Sequence, residues 1–302
     1  AQRRLLELDA AKETFEKAIQ VRRKHANADP EQIEAGRKLA NAMMNRGLVF
    51  AALGRLDIAL AAQEDAESLR KRLMQASPSN RLLQRDHAMG RFNLARLALM
   101  RGDMAVARER STDAVDRFES LARRQATDCE LWLRMIQCLM LRHELDRLSA
   151  SDVEMTFSSP EPGALPDDLV KATEYLRTLS ILSPSNRTYR LQLIGLLHSA
   201  VDQWLELGHL VEAKDALDLT DEQLLRRFEK SDNQPDVALL RLEQRRLRAL
   251  HTLETEGPAK AAGPLRAVLR DWDEFHEARR MKAGADAIDE PKAWRALRQL
   301  DP

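Results

Sequence analysis

The stretch SPSNRLLQRDHAMGRFNLARLALMRGDM, residues 77–104, has a proline near its start and a glycine 24 residues after that proline. The same pair recurs twice at the same separation, as Pro30 with Gly54 and as Pro184 with Gly208. Proline stops a helix, and glycine adopts the left-handed backbone of a tight turn. The spacing therefore predicts a repeated unit of two antiparallel helices, with glycine at the turn inside each pair.

Copies of this unit extend over the chain and predict one all-α domain, a right-handed α-solenoid of helix hairpins. The few glycines and prolines cluster at the predicted turns, and no segment alternates as a strand does. A lone hairpin leaves one face uncovered, so neighbouring hairpins must bury each other's apolar sides. The predicted parts are a half-unit at 1–28, units at about 29–76, 77–125, 126–182, 183–231 and 232–284, and a capping helix at 285–302. The third unit contains an expanded loop at 149–168.

The residues around the turn glycines resemble the tetratricopeptide repeat family, which places small and large side chains alternately at these positions. In three units they read Gly47, Phe50, Gly54, Ala59, Gln63, Ala66; Ala95, Ala98, Gly102, Ala107, Ser111, Ala114; and Val201, Trp204, Gly208, Ala213, Leu217, Thr220. The first repeat step is 48 residues, longer than the family's usual repeat of about 34. The resemblance is to the long arrays attached to bacterial signalling and effector proteins. It implies a non-enzymatic scaffold for protein–protein interaction.

The family binds partner segments on the concave face that its first helices form, and the resemblance places Asn45, Leu48, Asn93 and Arg96 on that face. An asparagine amide can both donate to and accept from an extended peptide backbone, and Arg96 could pair with an acidic group. The family's carboxylate clamp needs lysine and asparagine where this chain has Met44 and Leu48, which disfavours that function. The alternative function is a sensor that binds a small peptide or ligand and controls an attached effector domain.

No residue pattern predicts catalysis, a cofactor or a bound metal. His143 and His276 each begin like a zinc-protease helix but lack its second histidine, and neither a phosphate-binding loop nor a Gly-x-Ser-x-Gly motif occurs. The densest basic run, Arg245, Arg246 and Arg248, lies beside an acidic residue in a chain of zero net charge. This balance argues against nucleic acid, so the expected partner is a protein or peptide.

Cellular location and assembly are predicted from the cysteine count, the apolar runs and the first residues of the chain. Two cysteines, no bilayer-spanning apolar run and no leader predict a cytoplasmic protein without membrane contact. The chain begins in mid-pattern at Ala1, as expected for a fragment of a larger protein. The first half-unit lacks its first helix, so its apolar stripe of Leu5, Leu8, Phe15 and Ile19 is expected to be uncovered, which predicts self-association through the terminal helices.

Overall fold

The computed structural model describes the backbone of residues 2–29, 32–125, 127–152, 165–181, 187–225, 228, 234–283, 294 and 297–298. Within these ranges it describes all side chains except those of residues 2–7, 150–152, 223–224 and 279–283. Several features predicted above lie outside this description: Pro30, Pro184, the side chain of Leu5, residues 153–164 of the expanded loop and most of the segment 285–302.

The described residues form eleven α-helices and no strand, so the predicted all-α fold of paired helices is confirmed. In chain order these are α1 (Gln2–Ala28), α2 (Ile33–Ala52), α3 (Leu56–Ala76), α4 (Arg81–Met100), α5 (Met104–Arg124), α6 (Cys129–Asp152), α7 (Asp167–Ile181), α8 (Arg187–Glu206), α9 (Leu210–Leu219), α10 (Pro235–Glu256) and α11 (Pro258–Ala283). A π-helical turn, Thr220–Leu224, follows α9. None of the described helices has the length and apolarity needed to cross a membrane.

The turn glycines adopt the left-handed backbone that their spacing predicted. The φ angle is 74° at Gly54, 80° at Gly102 and 75° at Gly208, and Gly257 between α10 and α11 has 85°. An added Cβ would meet no atom at any of them, so the need for glycine is conformational. After each of the first three, the next N–H donates over 2.9 Å to a carbonyl in the preceding helix: Arg55 to Phe50, Asp103 to Ala98 and His209 to Trp204. This bond is typical of the Schellman motif that ends a helix.

The chain divides into two compact units, an amino-terminal unit of Gln2–Ala172 and a carboxyl-terminal unit of Thr173–Pro302. In the amino-terminal unit each helix packs on the next from α1 to α6, and α4 also contacts α2 and α6. In the carboxyl-terminal unit α10 packs on α8, α9 and α11. Contacts of a helix with both its chain neighbour and the next hairpin are those expected of stacked repeats.

Small residues let the two helices of a hairpin approach closely, as predicted at these positions. Ala59 and Ala66 of α3 and Ala107 and Ala114 of α5 have no exposed surface. A Cβ added at Gly47 of α2 would lie 3.1 Å from the carbonyl oxygen of Ala59. A larger side chain at any of these positions would therefore push the helix axes apart.

The leading helix α1 is covered over part of its apolar stripe. Ile19 is 4% exposed and clusters with Leu39 and Met43 of α2, while Leu8 and Phe15 are half-buried. The prediction that this stripe is uncovered is therefore wrong at Ile19. The physical reason is that α2 packs on α1, with Ile19 in one apolar cluster with Leu39 and Met43 of α2 and Ala66 of α3.

Candidate functional site

The four predicted partner-binding residues lie on α2 and α4 but differ in exposure. Asn45 and Leu48 are half-buried on α2, and Arg96 is exposed on α4. Asn93 is only 4% exposed. It lies two helical turns after Asp86, on the side of α4 that bonds to α2. Its burial disfavours it as a partner contact, whereas the other three residues stay available.

A stripe of apolar and arginine side chains follows the solvent-facing side of α4. Its members lie three, four or seven residues apart and so share one helix face; they are Leu82, Arg85, Met89, Arg96 and Met100, here called the α4 stripe, and Phe92 at its edge is buried. Leu82 is 45% exposed and Met100 53%, large values for apolar side chains. The Arg96 guanidinium lies 5.9 Å from the centre of the Phe92 ring. Among the described residues, no carboxylate is within ion-pair distance of Arg96.

Sequence reasoning missed Met89 and Met100 because it took the binding positions of every unit from one family register. Stepping by three, four or seven residues from Leu82 reaches Arg85, Met89, Arg96 and Met100. That helical spacing was the signal in the sequence that could have found them. This side of α4 therefore carries the apolar side chains of Leu82, Met89 and Met100 as well as Arg96.

Behind this face, a buried polar network ties α2 and α3 to α4. Arg70 of α3 has no exposed surface and donates to the Asn41 side-chain oxygen at 2.9 Å. Asn41 and Arg37, both on α2, each donate to one carboxylate oxygen of Asp86 on α4, at 2.8 Å. The Asp86 carboxylate is therefore held by two side chains of α2. Asn41 also links it to Arg70 of α3.

A second part of the network lies where α3 meets α4. His87 Nδ1 is 2.7 Å from Glu67 Oε1, with both side chains almost completely buried. A Cβ added at Gly90 would lie 2.8 Å from Arg70 Nη1 and 2.9 Å from Glu67 Oε2. Burial lowers the pKa of Arg70, and the charges of Asp86 and Glu67 act against that shift. The network positions the helices, because its charged groups face each other and not the solvent.

The carboxyl-terminal unit contains a buried histidine whose tautomer follows from its neighbours. Gln244 Nε2 donates to the Leu217 carbonyl at 2.8 Å, which leaves Gln244 Oε1 as an acceptor. His198 Nε2 lies 2.9 Å from that oxygen and must therefore carry the proton. Burial lowers the pKa of His198 to about 4, so the imidazole is neutral at pH 7.

Acid is expected to destabilise the carboxyl-terminal unit through His198. Its folded-state pKa, about 4, lies below the ordinary value of 6.5. The unfolded chain therefore binds the proton first, and the stability that is complete above pH 6.5 is lost as the pH falls towards 4. Relative to His198→Gln, the wild type should lose about 2.5 kcal/mol of unfolding free energy between pH 7 and pH 4.5. Urea denaturation followed by tryptophan fluorescence measures this, with Trp132 replaced by phenylalanine in both proteins so that the other three tryptophans all report on this unit.

The neighbouring charges that act on His198, namely Glu243, Arg246 and Asp221, are present in both proteins, so the comparison isolates the imidazole. The control is His25→Gln, which replaces an exposed histidine in the amino-terminal unit and should leave the pH profile of the carboxyl-terminal unit unchanged. Parallel pH profiles for wild type and His198→Gln would show that His198 is not the group responsible.

These features define an all-α protein of stacked helix hairpins. Among the described residues no group of three or more histidine, cysteine or acidic side chains is arranged to hold a metal ion. No protein-family model matches the chain, and no curated protein sequence matches it, so the tetratricopeptide resemblance stays a prediction.

One similar solved structure is that of Nro1, the hypoxic regulator of sterol synthesis, which is described as a nuclear import adaptor. It shares 10% identity with this chain, with a TM-score of 0.58 over 98% of this chain and 92% of that one. At this identity the similarity supports the helical fold.

Proposed function

We propose that this chain is a non-enzymatic scaffold that binds a segment of a partner protein on the first-helix face of its amino-terminal unit. That face consists of Asn45 and Leu48 of α2 together with the α4 stripe. The observation that carries the proposal is the exposure of Leu82, Arg96 and Met100 along one side of α4. Methionine, arginine and aromatic residues are enriched at protein interfaces.

The fold and the composition favour the same function. The solved neighbour is described as an adaptor, a role that a stack of helix hairpins can fill without catalysis. The resemblance to long bacterial arrays supports a finer proposal, that the chain serves as a cytoplasmic module of a larger signalling or effector protein. The buried network behind the face fixes α2 against α4, so a segment bound to both helices meets a preorganised surface.

Each part of the face suggests one feature of the bound segment. Arg96 is exposed and lacks a described acidic partner, so an acidic residue of the segment should pair with it. Leu82, Met89 and Met100 offer adaptable apolar area for large side chains. The Asn45 amide can bond to the backbone of the same segment.

Selection of a displayed library of random peptides on the whole chain tests this proposal. The selected peptides should combine an acidic residue with large apolar ones and should bind Arg96→Glu about tenfold more weakly or worse. Met89→Asp should weaken the same peptides, since it places a charge in the apolar part of the stripe. Fluorescence anisotropy of labelled peptides gives the affinities.

The matched control is Arg124→Glu, the same charge reversal at an exposed arginine on α5, which should leave the affinities unchanged. If no selected peptide distinguishes Arg96→Glu from Arg124→Glu, the first-helix face is not the binding site. Circular dichroism melts of the variants confirm that they remain folded.

A further inference from the structure

A cleft of 910 Å³ opens on the second helices of the amino-terminal unit, between α1 and α3. Both helices pack on α2, which therefore forms the floor of the cleft. The floor and one wall are apolar: Ile33, Leu39 and Met43 come from α2, and Leu69 and Leu73 from α3. We call it the α1–α3 cleft; it does not include any residue of the first-helix face.

The rim of the α1–α3 cleft has an excess of positive charge. Arg23 of α1 and Arg72 of α3 line the cleft and are exposed. Among the described residues neither arginine lies within ion-pair distance of a carboxylate. Asp65 is the one acidic residue of the lining. An apolar floor bordered by two unpaired guanidinium groups favours an amphipathic and acidic ligand.

The neighbouring cleft has no such excess of positive charge in its lining. A cleft of 530 Å³ lies between α3 and α5, and its lining includes three acidic and three basic residues: Glu64, Glu67, Asp103, Lys71, Arg101 and Arg110. Their charges cancel, and three of them already have partners, including Arg110, which lies 3.9 Å from Glu109. Glu67 pairs with His87, and Arg101 lies 3.6 Å from Asp57. This second cleft serves as a comparison site.

We propose that the α1–α3 cleft binds an acidic amphipathic helix of a partner protein. The lining also includes the neutral polar residues Asn27, Gln32 and Ser68, but the apolar side chains of the floor offer no hydrogen-bond partners to an extended backbone. A helix satisfies its own backbone groups and can lay an apolar face into such a groove. Carboxylates on the two sides of that face would then reach Arg23 on one rim and Arg72 on the other. The adjoining basic residues of α1, Arg22 and Lys24, add to the attraction.

Selection on the whole chain with a displayed library of helical peptides, randomised on one face, tests this inference. The expected binders carry acidic residues on both sides of an apolar stripe. They should bind Arg23→Glu/Arg72→Glu about tenfold more weakly or worse, and their affinity should fall as salt is added. Ala76→Trp gives an independent test, because an indole at this exposed position of the lining fills the cleft without changing charge.

The control is Arg101→Glu/Arg110→Glu, the same double reversal in the α3–α5 cleft, which should leave these peptides bound within about twofold of wild type. If no selected peptide is weakened by both Arg23→Glu/Arg72→Glu and Ala76→Trp, the inference is overturned. It is equally overturned if the small amphiphile dodecanoate, and no peptide, binds in a manner that depends on Arg23 and Arg72. Arg96→Glu should not affect cleft binders, so this inference and the proposed function can fail separately.

Discussion

Replacing Arg70 with alanine is expected to lower the free energy of unfolding of the amino-terminal unit by about 3–5 kcal/mol. Arg70 is completely buried, and the carboxylates of Glu67 and Asp86 are 4% and 8% exposed. Removing the guanidinium leaves negative charge in a poorly solvated place and frees the side-chain oxygen of Asn41. Hydrogen exchange of the α2, α3 and α4 amides at about pH 7 measures the loss in this unit.

Lys71→Ala is the matched control, because Lys71 follows Arg70 in the same helix and is exposed. Its effect should stay within about 0.5 kcal/mol. Gly90→Ala is an independent test of the same network: its new Cβ would press on Arg70 and Glu67 and should cost about 1–3 kcal/mol. A loss below about 1 kcal/mol for Arg70→Ala would mean that Glu67 and Asp86 do not depend on this arginine.

Trp294→Ala should cost the carboxyl-terminal unit about 3–5 kcal/mol of unfolding free energy. Trp294 is 2% exposed, and its ring stacks on that of Trp272 with centroids 4.2 Å apart and planes inclined by 12°. It belongs to a cluster with Leu265 and Leu269 of α11. Alanine would open a large cavity and remove the stacking contact. Hydrogen exchange of the α10 and α11 amides localises the loss to this unit.

A substitution at Arg298, four residues after Trp294, tests whether the loss of stability comes from the burial of Trp294. Arg298 is exposed and pairs with Asp273 at the surface, so Arg298→Ala should cost at most about 1 kcal/mol. Trp294→Phe keeps an aromatic ring against Trp272 and should fall between Arg298→Ala and Trp294→Ala. Equal effects of Trp294→Ala and Arg298→Ala would contradict a role for Trp294 in the core.

The helical turns were predictable because they depend on local backbone chemistry. Gly54, Gly102 and Gly208 have positive φ, and a positive φ is unfavourable for other residues wherever they lie in a fold. Proline and glycine at a constant separation therefore revealed the hairpins directly. The small residues Ala59 and Ala107 were predictable for a related reason, since hairpin helices approach closely at recurring positions.

The candidate binding face was only partly predictable. Asn45 and Asn93 occupy equivalent positions in the sequence repeat, yet Asn45 is half-buried and Asn93 almost completely buried. Helix α4 contacts both α2 and α6, and Asp86 on the same side as Asn93 bonds to Arg37 and Asn41 of α2, so this side of α4 is covered. A repeat register cannot contain that information, because it does not say which neighbouring helices cover each unit.

Residue order alone was enough to indicate paired helices, their turns and the absence of a recognisable catalytic motif, because helix propensity, turn geometry and motif spacing act over short distances along the chain. The packed structure was needed to show that Ile19 is covered and that Glu67, Arg70 and His87 form one buried group. It was also needed to show that Arg23 and Arg72 border one cleft. These facts depend on which helix faces meet, and helix faces meet through the side chains of residues distant in sequence. Burial and charge pairing are therefore properties of the assembled helices.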